Sequence, residues 1–415
     1  MRDLLRMAFR NLYRYKRRTT MASLLIAVGV VSLLLFLSVG SAFKRTMIES
    51  ITDSMLGHIQ IHRKGYVASI DSLPLNLQLQ PKQIQKLESI IAQTPGVIAQ
   101  TKRIKFGGMY SNFVETTNIR VNGIVPSDEI TTCPGIPARV NGGQVDTPAL
   151  KPGEIWLPEL LAKGLKVKKG DEGVVIATNI DGSVNGFTFK VAGILESVTG
   201  PGGRDAYIHF KDAVELLRME QPAISEIALR VGDFERVATI QAGLQAALAE
   251  FRNPQGKPVF EVHTWEKLTP FSNIARSVDL ITRFMQFVLI AVVLVAVVNV
   301  MMMAVYERTR EIGTMAALGT PPRKILGLFL TEGFLLGALG AGVGLAIGLI
   351  VVNVLRVTGF TMAFGRQAEL VLRPTLGLDE IAMVTLLVVV LSILGSLQPA
   401  FRASRLDPID ALRHV

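Results

Sequence analysis

The stretch FMQFVLIAVVLVAVVNVMMMAVY, residues 284–306, contains no Asp, Glu, Lys or Arg, and ERTREIGTMAALGTPPRK, residues 307–324, follows it at once. A helix needs about 20 apolar residues to cross roughly 30 Å of hydrocarbon. It is also the open-chain element that satisfies its own backbone hydrogen bonds there. The first part therefore reads as a transmembrane helix and the second as a polar segment at its end. Working outward, three further charge-free runs appear: Thr19 to Phe43, Gly333 to Leu355 and Ile381 to Phe401. The expected fold class is an α-helical membrane protein with four transmembrane helices and a large α+β extracytoplasmic domain between helices 1 and 2.

The boundaries read 1–18 as a basic amphipathic segment, 19–43 as the first span, 44–283 as the external domain and 284–306 as the second span. The rest divides into 307–324 as a connecting helix and turn, 325–355 as the third span, 356–380 as a short link, 381–401 as the fourth span and 402–415 as a tail. A cleaved signal peptide is the competing reading of the first run, but that run far exceeds the roughly 7 to 15 residues of a signal core.

Composition agrees. Of 415 residues, 49% are hydrophobic and 19% charged, and the mean hydropathy of +0.39 excludes a purely soluble chain. The net charge of +10 has a topological source. Arg2, Arg6, Arg10, Arg14, Lys16, Arg17 and Arg18 face a single acid, Asp3, before the first span. The positive-inside rule then puts both termini in the cytoplasm and the large domain on the opposite side of the membrane. No basic groove interleaved with aromatics supports nucleic-acid binding. A single cysteine, Cys133, permits no intrachain disulfide. The five histidines show no helical metal-binding spacing, so no metal site is expected.

Within 44–283, strand-like runs at His58 to His62, Asn118 to Val125, Gly153 to Leu157, Gly173 to Thr178, Phe187 to Leu195, Ala206 to Phe210, Glu226 to Val231 and Val259 to His263 alternate with helical patterns. The helical patterns are Lys82 to Gln93, Lys211 to Met219 and Phe234 to Phe251. Two lobes are expected, with a Gly/Pro-rich linker from Cys133 to Gly153 and a β-rich insertion over about 149–204. The turn Asn179, Ile180, Asp181, Gly182, Ser183, Val184, Asn185, Gly186 reads as a hairpin tip, either a partner-docking hook or a plain solvated turn.

No Gly-x-x-x-x-Gly-Lys-Ser/Thr occurs, so the chain is not expected to be an enzyme, and any ATP and Mg belong to another polypeptide. What stands out is residues 307–319. Helix formers carry charges on one side and Ile312, Met315 and Ala316 on another. Gly319 then Pro321 and Pro322 end the helix. A short amphipathic helix between two spans follows. In the third span Gly333, Gly337, Gly340, Gly344 and Gly348 repeat at three to four residues, a spacing that lets backbones pack closely or lets the helix bend. The spans themselves carry no ionisable residue that would mark an ion path. Met301, Met302 and Met303 read as lipid-facing, with acyl-chain contact as the alternative.

The chain resembles the MacB and FtsX superfamily of ABC permeases, LolC and LolE among them. The features that carry the resemblance are the basic leader, the external domain, the segment Glu307-Arg308-Thr309-Arg310-Glu311-Ile312-Gly313 to Ala317-Leu318-Gly319, and the ending Pro399-Ala400-Phe401-Arg402-Ala403-Ser404-Arg405-Leu406-Asp407-Pro408-Ile409-Asp410-Ala411-Leu412-Arg413. The resemblance implies that Glu307, Arg308, Arg310, Glu311, Ile312, Gly313, Met315, Ala316, Ala317 and Gly319 form a coupling helix that docks on a separate ATPase subunit. It also implies a dimer of ATPases with a second permease copy or paralogue, external lobes of the Porter and Sabre kind, and mechanical transmission instead of a channel. Three outcomes stay open: lipoprotein extraction handed to a periplasmic carrier, MacB-type export of peptides or drugs with an adaptor and outer-membrane channel, and FtsX-like signalling to a cell-wall hydrolase. The hairpin at Asn179 to Gly186 is shorter than the carrier-binding hook of that first branch.

Overall fold

The computed structural model describes residues 2–140, 150–196, 204–364, 367–408 and 411. In chain order its helices are α1 (Arg2–Arg14), α2 (Lys16–Ile51), α3 (Pro81–Ala92), α4 (Pro126–Thr132), α5 (Ile136–Arg139), α6 (Glu159–Gly164), α7 (Phe210–Leu216), α8 (Val237–Leu248), α9 (Trp265–Leu268), α10 (Phe271–Glu307), α11 (Thr309–Ala317), α12 (Pro322–Thr358) and α13 (Leu378–Ser404). The strands are β1 (Ile59–Arg63), β2 (Val97–Ser111), β3 (Thr116–Ile124), β4 (Glu154–Pro158), β5 (Glu172–Thr178), β6 (Val184–Leu195), β7 (Asp205–His209), β8 (Glu226–Val231), β9 (Phe260–Thr264), β10 (Phe360–Phe364) and β11 (Gln367–Leu372). Two compact units result: Met1–Arg45, Arg276–Met362 and Val371–Val415 in one, Thr46–Ala275 with Ala363–Leu370 in the other.

In the helical unit, α2, α10, α12 and α13 are each long and apolar enough to cross a membrane. At 1.5 Å per residue the 37 residues of α10 and of α12 reach about 55 Å, so both helices run well past the hydrocarbon. Their inner faces repeat every turn. Val293, Val297, Met301 and Val305 of α10 share a core with Ile26, Val30 and Leu34 of α2, Phe329 and Leu336 of α12, and Val384 and Val388 of α13.

The glycines of α12 serve two separate contacts. A Cβ on Gly333 or Gly337 would collide with Ser396 and Ser392 of α13. At Gly340 it would lie 2.7 Å from Ile26, at Gly344 2.7 Å from Val30, and at Gly348 2.7 Å from Leu34, all on α2. These glycines are thus packing positions within one chain, where helix backbones meet too closely for any side chain.

α12 begins at Pro322, so Glu332 lies inside a membrane helix and is almost wholly buried. The expectation that the spans carry no buried ionisable group is corrected by that residue. The link expected at 356–380 contains a two-stranded sheet of β10 and β11.

The other unit holds a nine-stranded sheet in the order β3-β7-β4-β6-β5-β2-β8-β1-β9, with β3 also bonded to β2. In the series β9-β1-β8-β2 each strand is antiparallel to its neighbour. Helix α3 joins β1 to β2 and α8 joins β8 to β9, which is a βαββαβ unit. α3 forms because Pro81 opens its first turn, the Gln83 side chain caps the Gln80 N–H at 2.9 Å, and Ile84, Leu87 and Ile91 fall on one face. α8 buries Val237, Ile240, Leu244 and Leu248 in the same core.

β2 is 15 residues long and belongs to two substructures. Its first half pairs with β8, through Arg103 opposite Glu226. Its second half is flanked by β3 on one side and β5 on the other. Pairings β3 to β7, β7 to β4, β4 to β6 and β6 to β5 then close six strands into a ring. The inserted strands therefore begin at Thr116, well before 149, and they are continuous with the frame through β2. Residues 141–149 of the expected linker lie outside the described residues.

Candidate functional site

Arg308 breaks the helix between α10 and α11, with a non-helical φ of −114°. Its side chain is 3% exposed, and that of Glu332 is 1% exposed. Nη1 donates to both Glu332 carboxylate oxygens, at 2.8 and 3.0 Å, and Nε donates to Glu311 Oε2 at 2.9 Å. Two residues of α1 and its end complete the cluster. Asn11 Nδ2 donates to Glu332 Oε1 at 2.8 Å, and the Tyr15 hydroxyl donates to Glu311 Oε1 at 3.3 Å. Arg18 pairs with Glu307 at 3.2 Å. The planar guanidinium suits this fork, because it can serve two carboxylates at fixed angles.

This divides the ten expected coupling residues. Arg308, Ile312 and Gly313 face inward; Glu311, Met315 and Ala316 are half-buried; Glu307, Arg310, Ala317 and Gly319 are exposed. Arg308, Ile312 and Gly313 are thus buried against the rest of the helical unit, and half-buried Glu311 is held by its bonds to Arg308 and Tyr15. Gly313 is required because a Cβ there would sit 2.6 Å from that of Ala411. The two motifs quoted from the link and from the chain's ending therefore meet. Residues 409, 410 and 412–415 of that ending lie outside the described residues.

Gly319 takes φ +82° and closes α11: its N–H donates to Ala316 O, and Thr320 N–H donates to Met315 O, each at 3.0 Å. That left-handed cap turns the chain and leaves Leu318 82% exposed beside exposed Pro321, Pro322 and Arg323. The sequence reading missed Glu332, Asn11, Tyr15 and Leu318. A lone acid at the edge of a charge-free run was the available signal for Glu332.

At the expected hairpin tip, Asn179 N–H donates to Ser183 O at 2.8 Å, Gly182 has φ +84°, and Asp181 accepts from Ser183 N–H and Oγ–H at 2.9 and 2.8 Å. Those two donors hold the Asp181 carboxyl below its usual range. Asn185 and Gly186 belong to β6, paired with Ala177 and Ile176, and Asn185 donates to Leu216 O. The turn proper is 179–183, tied down by its own polar groups, with Ile180 and Val184 exposed.

The external unit carries a second buried charge cluster. Arg103 binds Glu129 at 2.7 Å and Glu226 at 2.9 Å; Lys105 reaches Glu226 at 2.8 Å and His62 at 3.3 Å lies on its other oxygen. Burial opposes ionisation of Glu226, but Lys105, His62 and Arg103 outweigh it and hold that carboxyl well below the usual range. Arg103 and Lys105 also line a cavity of about 580 Å³ with Arg120, Asn122, Asp205 and Tyr207.

Four membrane-spanning helices, with a large mixed-sheet domain inserted after the first, define a membrane protein with an extracytoplasmic domain. The family model of the MacB-like periplasmic core domain matches residues 19–247, more than half of the chain, and that of the FtsX-like permease C-terminal matches residues 283–408. The chain belongs to the MacB/FtsX superfamily. It is 26% identical to the macrolide export ATP-binding/permease protein MacB of Hyphomonas neptunium, over 99% of this chain and 60% of that protein. It is 25% identical to the lipoprotein-releasing system transmembrane protein LolC of Neisseria meningitidis serogroup B, over 94% of this chain and 92% of that one. Among structures, it is similar to the periplasmic region of MacB from Actinobacillus actinomycetemcomitans, at 12% identity and a TM-score of 0.35, over 56% of this chain and 95% of that one. The chain spans between 34% and 60% of the length of the MacB relatives it matches first.

Proposed function

We propose that the chain is the permease subunit of an ABC transporter in a bacterial inner membrane, with its termini and α11 in the cytoplasm. An ATP-binding partner supplies nucleotide and Mg, two permease chains form the membrane assembly, and α11 receives the motion of the ATPase and passes it to the external domain. The observation that carries this reading is the split of α11 into an anchored and an offered face. Arg308, Ile312 and Gly313 fix the helix, while Leu318, 82% exposed, and Arg310 stand out from it. Lateral load applied at Leu318 reaches α12 through the Arg308 to Glu332 pair and α1 through Tyr15.

For cargo, the proposal is acylated protein extracted from the outer leaflet and passed to a periplasmic carrier. Its support is the LolC relative, matched over 92% of its length. Export with an adaptor is the second reading, supported by the MacB relatives. Purification of the tagged chain in nanodiscs, with mass spectrometry of its companions, tests both. An ABC ATPase with acylated proteins is the expected result. An ATPase with an adaptor instead would overturn the cargo assignment, and the absence of any ATPase would overturn the permease reading. Leu318→Asp should lose the ATPase while keeping the thermal stability of the chain.

A further inference from the structure

α1 has two exposed ridges on the side away from its anchors. Leu5, Phe9 and Tyr13 follow one another at i, i+4 and i+8, and so do Arg6, Arg10 and Arg14 one residue on, the last of them 3.6 Å from Glu311. Phe9 is 62% and Tyr13 66% exposed. The opposite face is spent: Ala8 and Leu12 are buried, Asn11 is bonded to Glu332, and Tyr15 to Glu311. The Thr19 hydroxyl donates to Leu12 O at 2.9 Å, seven residues back, a contact a straight helix does not allow. The chain therefore bends sharply between α1 and the first membrane span, and α1 ends at Arg14, two residues before α2 begins. Arg6, Arg10 and Arg17 are exposed, and among the described residues none of them forms an ion pair.

We propose that α1 is a binding surface for anionic phospholipid headgroups, which, by holding its outer face, tighten α11 through Asn11 and Tyr15. The occupant is chosen by charge and depth. An aromatic ridge beside an arginine ridge, on a helix held at the level of a membrane interface, matches the acyl boundary and the phosphates of one leaflet. Lys16 lies 4.2 Å over the Tyr13 ring, so the aromatic ridge ends in a further cation. Each basic residue near an anionic leaflet contributes about a fivefold factor, on the order of a hundredfold for three. The inference rests on the membrane reading of α2 and α12, and not on the ATPase partner, so it fails independently of the proposed function.

The test is hydrogen exchange of the full chain in nanodiscs of phosphatidylcholine alone and of phosphatidylcholine with phosphatidylglycerol. Amides of residues 5–18 and 309–318 should exchange on the order of tenfold more slowly with phosphatidylglycerol, and high salt should abolish the difference. Arg6→Ser, Arg10→Ser and Arg17→Ser together should remove it in low salt. Equal exchange in the two bilayers would overturn the proposal, as would an undiminished lipid response in the triple variant. Slowing confined to 5–18 would overturn the relay to α11.

Discussion

Replacing Arg308 by methionine keeps most of the side chain's volume and removes its charge. Glu332, with its side chain 1% exposed, is then left as a buried carboxylate whose one remaining donor is Asn11 at 2.8 Å. Stripping one partner from a buried ion pair costs about 3 to 5 kcal/mol, because the desolvation of the survivor is no longer offset. The Glu311 bond adds little, since that carboxylate is 40% exposed and solvent takes over. Arg308→Met should therefore destabilise the helical unit by about 3 to 5 kcal/mol, and Arg308→Met with Glu332→Leu should recover most of that loss, since an apolar pair of similar size is often neutral. Denaturant titration in micelles, followed by circular dichroism, measures both. A single variant within 1 kcal/mol of the parent, or a double variant no better than the single, would refute the assignment of Arg308 as the buried anchor.

Gly344→Leu should lower the melting temperature, because its Cβ falls 2.7 Å from Val30 and 2.8 Å from Ala27 O, whereas Gly342→Leu, with open space around it, should not. Burial pushes the Cys133 thiol up to about 12, so maleimide should label it only after denaturation; fast labelling of native protein would contradict its burial. Glu226 has a folded-state pKa depressed below its unfolded value, so its stabilisation is complete above pH about 4.3 and fades as the pH falls through that lower value. Glu226→Gln should therefore be less stable than the parent at pH 7, with the gap closing in strong acid. Intrinsic fluorescence reads this unit selectively, since Trp156 and Trp265 are the chain's two tryptophans and both lie in it.

The spans were legible because a charge-free run of about 20 residues has few alternatives in water. The α12 glycine repeat was legible, but not whether it served packing or bending, nor that three glycines meet α2 and two meet α13, since spacing says nothing about neighbours. β2 was not seen. Arg103 and Lys105 alternate with Ile104 and Phe106, but Lys102, Gly107 and Gly108 cut that run short, and the reasons are tertiary: Arg103 is neutralised by Glu129 and Glu226, and at Gly108 a Cβ would come within 2.7 Å of Ile176 O. The link at 307–319 was recognised as a unit, but its inner and outer faces were not sorted. Its amphipathic stripe gives one periodic signal, while its decisive partners are remote, Tyr15 lying 296 residues before Glu311 and Glu332 24 residues after Arg308, so only the folded chain brings them together.

The point where β2 leaves β8 has a consequence for how such a domain diversifies. Ser225 N–H donates to Arg103 O at 2.8 Å, so the chain departs from and returns to the βαββαβ frame one strand spacing apart. More than a hundred residues hang from that doorway, and the frame's four-strand order does not depend on what they are. A graft exchanged there would replace the ring and its tip while leaving α3 and α8 on the frame, but it would have to restore the bonds that Gly135 and Arg139 make to Asp53 O and Ser54 O just past α2. Ring and frame can thus vary separately in sequence wherever those few bonds are kept.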